Sequence, residues 1–289
     1  MAYSNPALAF IGFGEAGAAF ANGIGIAAIA YDRADKAEAC LRHGITVAAS
    51  NAAAVRGAAL ILSVVTADQA LAAARETAGE IMPDALYCDL NSVAPDTKRA
   101  AQVAIETAGG RYVDVAVMAP VHPAGRDVPL LVSGPHAEAG AAALVAAGFG
   151  KVRVVPGDVG RASSIKMIRS VMVKGLESLT AECVIAADRA GVLDEVLASL
   201  DASPPPPDWH DRADYNLERM MAHGLRRAAE MEEVVKTLDA LGTGSAMTRG
   251  TVVRQRAIGA LAIATPATLE DKLAALARGE APAKQRDFA

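Results

Sequence analysis

The feature of this chain that most constrains its fold is a glycine-rich loop between an apolar run and a helical pattern. Residues 7–11 form a short apolar run, an alanine-rich segment with helical spacing follows residue 17, and the loop between them comprises Gly12, Phe13, Gly14, Glu15, Ala16 and Gly17. The first glycine of such a loop permits a tight turn, the second lets the backbone approach a ligand, and the third lets the helix pack against its strand. The loop therefore predicts a strand, a turn and a helix that open an α/β sheet.

Short apolar runs continue to alternate with alanine-rich helical segments up to residue 160. The runs cover residues 7–11, 26–31, 59–65, 86–88, 112–117, 130–132 and 152–155. Because this alternation is typical of parallel strands joined by crossover helices, we predict a Rossmann domain over residues 1–160 with a doubly wound, mostly parallel sheet.

The pattern changes after residue 160, where we find no further strand signal. Helical spacing over residues 164–191, 217–241 and 269–276 predicts an all-helical second domain over residues 161–289. The first of these helices carries an apolar stripe that we expect to pack against the domain core, made of Ile165, Ile168, Met172, Leu176, Leu179 and Cys183.

Composition excludes several classes of function. A formal net charge of -5 and a pI near 5.6 argue against a nucleic-acid partner. The three cysteines form no CxxC pair, so neither a disulfide framework nor a thiolate zinc site is indicated, and we predict no metal. The first residues lack the basic and apolar regions of a secretory signal, and no apolar stretch is long enough for a membrane span, so we expect a cytoplasmic protein.

The glycine loop predicts a dinucleotide site when its surroundings are included. Asp32 follows the next apolar run, where a carboxylate accepts hydrogen bonds from the adenosine ribose, and this favours NAD. Arg33 beside it is able to hold a 2′-phosphate, which leaves NADP open. Two alternatives remain: the glycines merely form a tight turn in another α/β protein, or Asp32 caps the helix that follows it.

A second cofactor contact is expected at the end of the run 59–65. Ligands of doubly wound sheets bind outside the carboxyl ends of the strands, so the turn containing Val64, Val65 and Thr66 should pass close to the dinucleotide. Thr66 either touches the nicotinamide half or caps the next helix, and these two roles stay open.

The order of motifs resembles the β-hydroxyacid dehydrogenases, and in particular their 6-phosphogluconate dehydrogenase-like relatives. The glycine loop is the first of four matching segments. Residues 89–95, Asp-Leu-Asn-Ser-Val-Ala-Pro, look like the family's D-x-S-T-x-x-P segment, and residues 112–117 are similar to its aspartate-bearing strand. Gly160 followed by Lys166 resembles its G-x-G-x-x-x-K-x-x-x-N helix. The resemblance covers nearly the whole chain.

The resemblance implies that Lys166 is the catalytic lysine. The residues themselves allow two interpretations, because Lys166, Ser170 and Lys174 fall at four-residue steps on one helix face, which either lines a cleft or is solvated. Oxidation of an alcohol by hydride transfer needs a group that takes the hydroxyl proton. A lysine amine ordinarily has a pKa of about 10.4, and desolvation or a nearby cation lowers it.

The substrate segments depart from the family pattern. Met118, Ala119 and Pro120 replace the serine-glycine-glycine loop that grips a carboxylate, and Ser170 replaces an asparagine. We therefore expect different substrate geometry, with Asn91, Ser92, Met118 and Ser170 near the substrate. By resemblance, Glu230 takes the acidic position of the family's lysine-aspartate pair, while Arg226 or Arg227 either restores the cation or faces solvent.

These observations predict an NAD(P)-dependent dehydrogenase or reductase acting on CH-OH groups of a hydroxy or oxo substrate that bears an acidic or polar group. The partners we expect are this small molecule and, by resemblance, a second copy of the chain in a homodimer. The alternative is a non-catalytic dinucleotide-binding sensor or partner subunit, and a narrower one is an imine reductase on the same scaffold.

Overall fold

The computed structural model describes residues 8–202, 208–240 and 245–279. The chain divides into two compact units between Ile168 and Arg169. The first unit is a sheet covered by helices on both faces, and the second is helical. Within the described residues, no helix combines the length and apolarity needed to cross a membrane.

The first unit is built on an eight-stranded sheet with the order β3-β2-β1-β4-β5-β6-β7-β8. All neighbouring strands are parallel except β6 and β7, which pair antiparallel. The strands are β1 (Leu8–Ile11), β2 (Ala28–Tyr31), β3 (Thr46–Val47), β4 (Leu60–Ser63), β5 (Leu86–Asp89), β6 (Arg111–Val117), β7 (Leu130–Ser133) and β8 (Val152–Val154).

Six helices connect these strands and cover the sheet. They are α1 (Glu15–Ala21), α2 (Ala37–Arg42), α3 (Asn51–Val55), α4 (Ala70–Ala78), α5 (Pro95–Thr107) and α6 (Ala137–Ala146). Alternate residues of β1 enter different apolar clusters, since Leu8 and Phe10 belong to one cluster while Ala9 and Ile11 belong to the other. Successive side chains of a strand point to opposite faces, so the sheet is buried on both.

The predicted fold class is confirmed. Each of the seven apolar runs coincides with a strand to within a few residues, and the mostly parallel sheet follows from their alternation with helices. The strand missed by the sequence pattern is β3, which has only two residues, both exposed. It carries no apolar signal because it forms the edge of the sheet and buries neither side chain.

Every secondary-structure element in the described residues of the second unit is a helix. The long helix α7 (Arg161–Ala190) begins in the first unit and continues into the second, and the others are α8 (Leu193–Asp201), α9 (Trp209–Ala240), α10 (Ala246–Ala260) and α11 (Leu269–Gly279). The three predicted helices correspond to α7, α9 and α11. Helices α8 and α10 were not predicted.

Most of the apolar stripe on α7 does not pack as expected. Ile165 packs against a small apolar cluster, but Ile168, Met172, Leu176 and Leu179 are between 38% and 63% exposed, and the side chain of Cys183 lies outside the described part of the chain. The polar face of the helix is buried instead, because its side chains find polar partners on α9 and α10: Lys174 pairs with Glu230, Glu177 with Arg227 and Gln255, and Thr180 with Asn216. Polar side chains can be buried when each has a polar partner. The distribution of polar and apolar residues along α7 therefore predicted the wrong face to be buried.

Helices α9 and α10 meet at a pair of glycines. A Cβ atom on Gly224 would lie 2.4 Å from the carbonyl oxygen of Gln255 and 2.8 Å from the Cα of Gly259. A Cβ atom on Gly259 would lie 2.5 Å from the backbone nitrogen of Leu225. All of these neighbours are backbone atoms that cannot rotate away, so the close approach of the two helices requires glycine on both sides.

We expect Gly224→Ala and Gly259→Ala each to lower the free energy of unfolding by about 1–3 kcal/mol or more, as overpacked cores do. Gly250→Ala is the matched control, because Gly250 lies on the same α10 and its Cβ would meet nothing within 4 Å. Since alanine favours helix over glycine, this control should be neutral or stabilising by about 0.5–1 kcal/mol. Urea denaturation followed by circular dichroism measures all three, and equal stability of the three variants would contradict the close-packing account.

Candidate functional site

The predicted site segments meet at one edge of the sheet. Strands β1, β2, β4 and β5 run parallel, with Ile11 in register with Tyr31 and Ser63, and Ser63 in register with Asp89. The residues that follow each strand therefore emerge at the same carboxyl edge, where doubly wound sheets bind their ligands. The edge thus brings together the glycine loop, Asp32 with Arg33, residues 64–66 and residues 91–92.

The glycine loop has the geometry that its sequence predicts. Gly12 has φ +94°, and a Cβ atom there would lie 2.6 Å from the carbonyl oxygen of Val64. A Cβ on Gly17 would lie 2.8 Å from the carbonyl oxygen of Gly12, whereas one on Gly14 would meet nothing within 4 Å. Two glycines are therefore required by close backbone packing, and the third faces open space just before α1. Glu15 is exposed there and Ala16 half-buried.

Asp32 joins the end of β2 to the glycine loop. Its Oδ2 accepts a hydrogen bond of 2.7 Å from the amide of Phe13, and its Oδ1 accepts one of 2.9 Å from the amide of Ala34. Because α2 begins only at Ala37, the carboxylate closes a local turn and does not cap the helix. Each carboxylate oxygen keeps a second acceptor position, since an ionised carboxylate has about four in total.

Phe13 does not present its side chain to a ligand. The ring is 1% exposed and packs edge-to-face against Phe10 in the core, with ring centroids 5.9 Å apart. Its backbone amide donates a hydrogen bond to Asp32. Both the ring and the amide of Phe13 are therefore engaged within the protein, and its expected contact with the cofactor stays a prediction.

Arg33 and Thr66 belong to a polar surface network at the ends of β2 and β4. The guanidinium of Arg33 donates to the Gln69 side chain, and Gln69 donates to Asp68 over 2.6 Å. Hydrogen bonds from Thr66 and then Gln69 hold the pKa of the Asp68 carboxyl below its usual value. The Thr66 side chain thus forms a hydrogen bond with the Asp68 carboxylate. It makes no capping bond to the 3-10 turn Ala67–Gln69 that it precedes.

Asn91 links the ends of β4 and β5. Its Oδ1 accepts from the amide of Val65 over 2.7 Å, and its Nδ2 donates to Ser63 Oγ over 2.9 Å. The side chain is only 4% exposed. Both ends of the amide therefore have partners and little of it reaches the surface, so Asn91 supports the edge, and its expected substrate contact stays a prediction.

Ser92 and Lys166 come together although 74 residues separate them in the sequence. The Nζ of Lys166 donates a hydrogen bond to Ser92 Oγ, and both side chains are partly buried. Ser92 follows β5, and Lys166 lies on the second turn of α7, within the first unit. An amine and a hydroxyl at the carboxyl edge of the sheet are groups that can carry a proton to or from a bound molecule.

Beneath this pair lies a buried ion cluster that the sequence analysis did not identify. Lys98 is fully buried, and its Nζ lies 2.9 Å from Asp89 Oδ1 and 3.5 Å from Asp114 Oδ1, both of them fully buried. The sequence did carry one signal for this cluster: Lys98 lies on the buried face of α5, together with Pro95, Ala101 and Ile105. A lysine at a core-facing step of an amphipathic helix indicates a buried partner of opposite charge.

The cluster changes the chemistry of its neighbours. Burial, reinforced by the charge of Asp89, raises the pKa of the Cys88 thiol to about 12 while Lys98 opposes the shift. Burial and the charges of Asp89 and Asp114 also raise the pKa of Tyr112, whose hydroxyl donates to Asp89 over 2.7 Å. Both groups therefore stay protonated at neutral pH and do not serve as nucleophiles or bases.

The segment after β6 lacks a carboxylate cradle. The amide of Met118 donates to the carbonyl of Pro129 over 2.9 Å, and Pro120 has no amide hydrogen. The Met118 side chain packs beside Ile165 against a small apolar cluster that contains Ala162. Met118 is therefore placed near the start of α7, where it offers an apolar surface.

Two predicted site residues lie in the helical unit. Ser170 is 6% exposed on α7, and Glu230 on α9 pairs with Lys174 over 2.9 Å and with Arg226 over 3.9 Å. Arg227 is buried against Glu177 and is not a solvent-facing charge. Glu230 thus pairs with two cations, and its expected role near the substrate stays a prediction.

The residues at the carboxyl edge fit a dinucleotide. The open position at Gly14 leaves room beside the backbone, and Asp32 keeps acceptor positions for ribose hydroxyls. Across the described part of the chain, no group of three or more His, Cys, Asp or Glu side chains is arranged to hold a metal ion.

Comparison with protein-family sequence models assigns both parts of the chain. Residues 7–157 match the NAD binding domain of 6-phosphogluconate dehydrogenase, which is more than half of the chain. Residues 187–258 match a domain of unknown function, DUF1932. The chain therefore has an NAD(P)-binding domain followed by a DUF1932 domain.

Solved structures support the same assignment. A conserved hypothetical protein from Sinorhizobium meliloti 1021 is 36% identical with a TM-score of 0.73, covering 96% of this chain and 97% of that one. The conserved protein MTH1747, described as similar to 3-hydroxyacid dehydrogenases, is 29% identical with a TM-score of 0.67, covering 89% and 99%. A 3-hydroxyisobutyrate dehydrogenase of Mycobacterium tuberculosis shares the fold at 16% identity, with a TM-score of 0.74 and coverage of 94% and 99%.

The resemblance inferred from the glycine loop and the three later segments is confirmed by these matches. It extends over both units, because the similar structures cover about nine-tenths or more of the chain. The chain belongs to the family of proteins built on the NAD binding domain of 6-phosphogluconate dehydrogenase, with a DUF1932 domain after it.

Proposed function

We propose that this protein is an NAD(P)-dependent oxidoreductase that acts on the CH-OH or C=O group of a hydroxy or oxo substrate, with Lys166 as the general acid and base. The observation that carries the proposal is the hydrogen bond from Lys166 to Ser92 at the carboxyl edge of an NAD(P)-binding sheet. A dinucleotide-binding protein without catalysis has no need of an amine held in that place.

The residues have distinct tasks in this reaction. A bound nicotinamide supplies or accepts the hydride. In the oxidation direction the neutral amine of Lys166 takes the hydroxyl proton of the substrate, and in the reduction direction the ammonium returns it. Ser92 Oγ accepts a hydrogen bond from Nζ and thereby fixes where the amine points. Asn91 holds the two strand ends from which this geometry is built.

The segment after β6 narrows the substrate class. Because the Met118 amide is already bonded and Pro120 has none to offer, a small β-hydroxyacid gripped by that loop is a poor fit. An apolar Met118 beside the start of α7 favours a substrate with an apolar group near its reacting carbon. We propose that its acidic or polar group is held by residues outside this loop.

Replacement of the lysine tests the mechanism. We expect Lys166→Met to lower turnover by about 100- to 10,000-fold, the usual contribution of a positioned acid or base, while the affinity for the reduced dinucleotide stays unchanged. Turnover is followed by cofactor absorbance against a panel of hydroxyacids, oxoacids and imines. Lys151→Met is the control, because Lys151 is an exposed lysine of the same unit.

The outcomes separate the alternatives. Wild-type protein that binds dinucleotide but turns over no member of the panel would favour the non-catalytic sensor. Turnover confined to imines would identify an imine reductase. Full activity of Lys166→Met on a hydroxy or oxo substrate would remove the lysine from the mechanism and leave the oxidoreductase assignment in place.

We also propose that the preferred cofactor is NAD. A carboxylate at position 32 disfavours a 2′-phosphate, while the guanidinium of Arg33 is already bonded to Gln69. We expect NADH to bind at least about tenfold more tightly than NADPH in fluorescence titrations, since juxtaposed like charges cost several kcal/mol. Asp32→Asn should narrow the gap, and Arg33→Ala should leave NADH binding unchanged. Tighter binding of NADPH to the wild type would reverse the preference.

The exposed stripe on α7 supports a homodimer. Met172, Leu176 and Leu179 are 63%, 38% and 48% exposed, and a contiguous apolar stripe of this kind marks an interface. We propose that a second copy of the chain covers it. Light scattering should give the mass of a dimer, and Met172→Glu with Leu179→Glu should weaken association by at least about tenfold.

The control for the dimer is Val103→Glu, which places a charge on a 66% exposed apolar residue of α5 in the first unit. This variant should remain dimeric. A monomeric wild type, or a dimer that tolerates both charges on α7, would show that the stripe is not the interface.

A further inference from the structure

We infer that Lys98 is a positioning residue: from the protein interior it fixes the positions of Ser92 and Lys166 relative to each other. The inference deepens the proposed function and rests on it, because it concerns the amine and hydroxyl to which that function assigns the proton transfer. Lys98 itself is fully buried and touches neither substrate nor cofactor. It acts through two carboxylates, each of which anchors one member of the pair.

The first carboxylate anchors the segment that carries Ser92. Asp89 Oδ1 accepts hydrogen bonds of 2.9 Å from both the amide of Asn91 and the Nζ of Lys98. The ammonium also donates to the backbone carbonyl of Asp89 over 2.5 Å. Three bonds therefore fix the backbone immediately before Ser92, at the point where β5 ends and the chain turns toward α5.

The second carboxylate anchors the start of the helix that carries Lys166. Asp114 Oδ2 accepts from the amides of Gly160 and Ser163 over 3.0 and 3.2 Å and from the hydroxyl of Ser133 over 3.0 Å. Lys166 follows Ser163 by one helical turn. Since Asp114 receives one amide just before α7 and one in its first turn, the position of this carboxylate determines where that turn, and with it the amine, is placed.

Lys98 is the bridge between these two anchors. Its ammonium lies between Asp89 Oδ1 and Asp114 Oδ1, and the latter oxygen has no hydrogen-bond partner, which leaves the ion pair of 3.5 Å as its compensation. Two carboxylates and one ammonium buried together carry a net negative charge. Without the ammonium the carboxylates would repel each other in a low-dielectric interior and move apart.

Lys98→Met tests the bridge with readouts that need no substrate. The first is hydrogen exchange by mass spectrometry in peptides that contain Asn91 and residues 160–166. The second is the rate at which acetic anhydride acetylates Lys166, measured by peptide mass spectrometry across pH. We expect faster exchange in both peptides and a change of about tenfold in the Lys166 acetylation rate, as for residues coupled in one hydrogen-bond network.

The matched control is Lys272→Met. Lys272 is 1% exposed and pairs with Asp214 over 2.5 Å in the helical unit, so this variant also removes a buried lysine from an ion pair. It should leave both first-unit peptides and Lys166 unchanged. Acetylation of the exposed Lys151 is the internal reference, because unfolding of the first unit would raise it together with Lys166.

Coupling to Ser92 distinguishes positioning from a general loss of structure. If Lys98 acts by holding the Ser92 segment against α7, Ser92→Ala alone should already change Lys166 acetylation, and adding Lys98→Met should produce less than the product of the two separate changes. Additive effects, or unchanged acetylation in a folded Lys98→Met protein, would overturn the inference. If Lys98→Met does not fold, Lys98→Gln, which removes the charge but leaves both carboxylates and their amide partners in place, is measured instead, and unchanged exchange and acetylation in that variant would equally overturn the inference.

The two proposals fail in different ways. If acetylation and exchange respond as expected but Lys166→Met retains full turnover, the bridge stands and the proton-carrier assignment falls. If Lys166→Met loses turnover while Lys98→Met changes neither exchange nor acetylation, the mechanism stands and the bridge falls.

Discussion

The interaction on which the carboxyl edge of the sheet depends is a lysine ammonium enclosed between two carboxylates, with none of the three side chains exposed to water. Removing one member of a buried ion pair typically costs about 3–5 kcal/mol, because an uncompensated charge remains in the interior. The cluster of Lys98, Asp89 and Asp114 therefore does more than join α5 to two strands. It sets the spacing between the turn after β5 and the first turn of α7.

Much of the fold follows from the sequence, for a physical reason. Buried parallel strands need continuous apolar runs, and the glycine loop has a close-packed turn that only glycine satisfies, so both leave a local signal. A Cβ atom on Gly12 or on Gly17 would lie less than 3 Å from a backbone carbonyl oxygen. The two-residue edge strand β3 and helix α10 leave weaker signals, because one buries nothing and the other packs through glycine and polar side chains.

The site was predicted less completely than the fold. Ser92 and Lys166 were both identified and are brought together, but Asn91 and Phe13 turn inward and support the edge. Lys98 was missed because a charge in the core is stabilised only by partners distant in sequence, which no local pattern reveals. The same cause explains why the sequence predicted the wrong buried face of α7: its polar face is buried against ionic partners on α9. Burial of a polar face depends on what lies opposite it, and that is decided by tertiary structure.

The double attachment of Asp32 restricts which side chains position 32 can hold. One carboxylate oxygen holds the amide of Phe13 inside the glycine loop, and the other closes the turn that leads toward α2. A side chain without an acceptor at this position would release both amides at once, and the conformation of the glycine loop would change together with the charge beside it. Side chains that keep an acceptor oxygen are therefore the substitutions that this loop tolerates best.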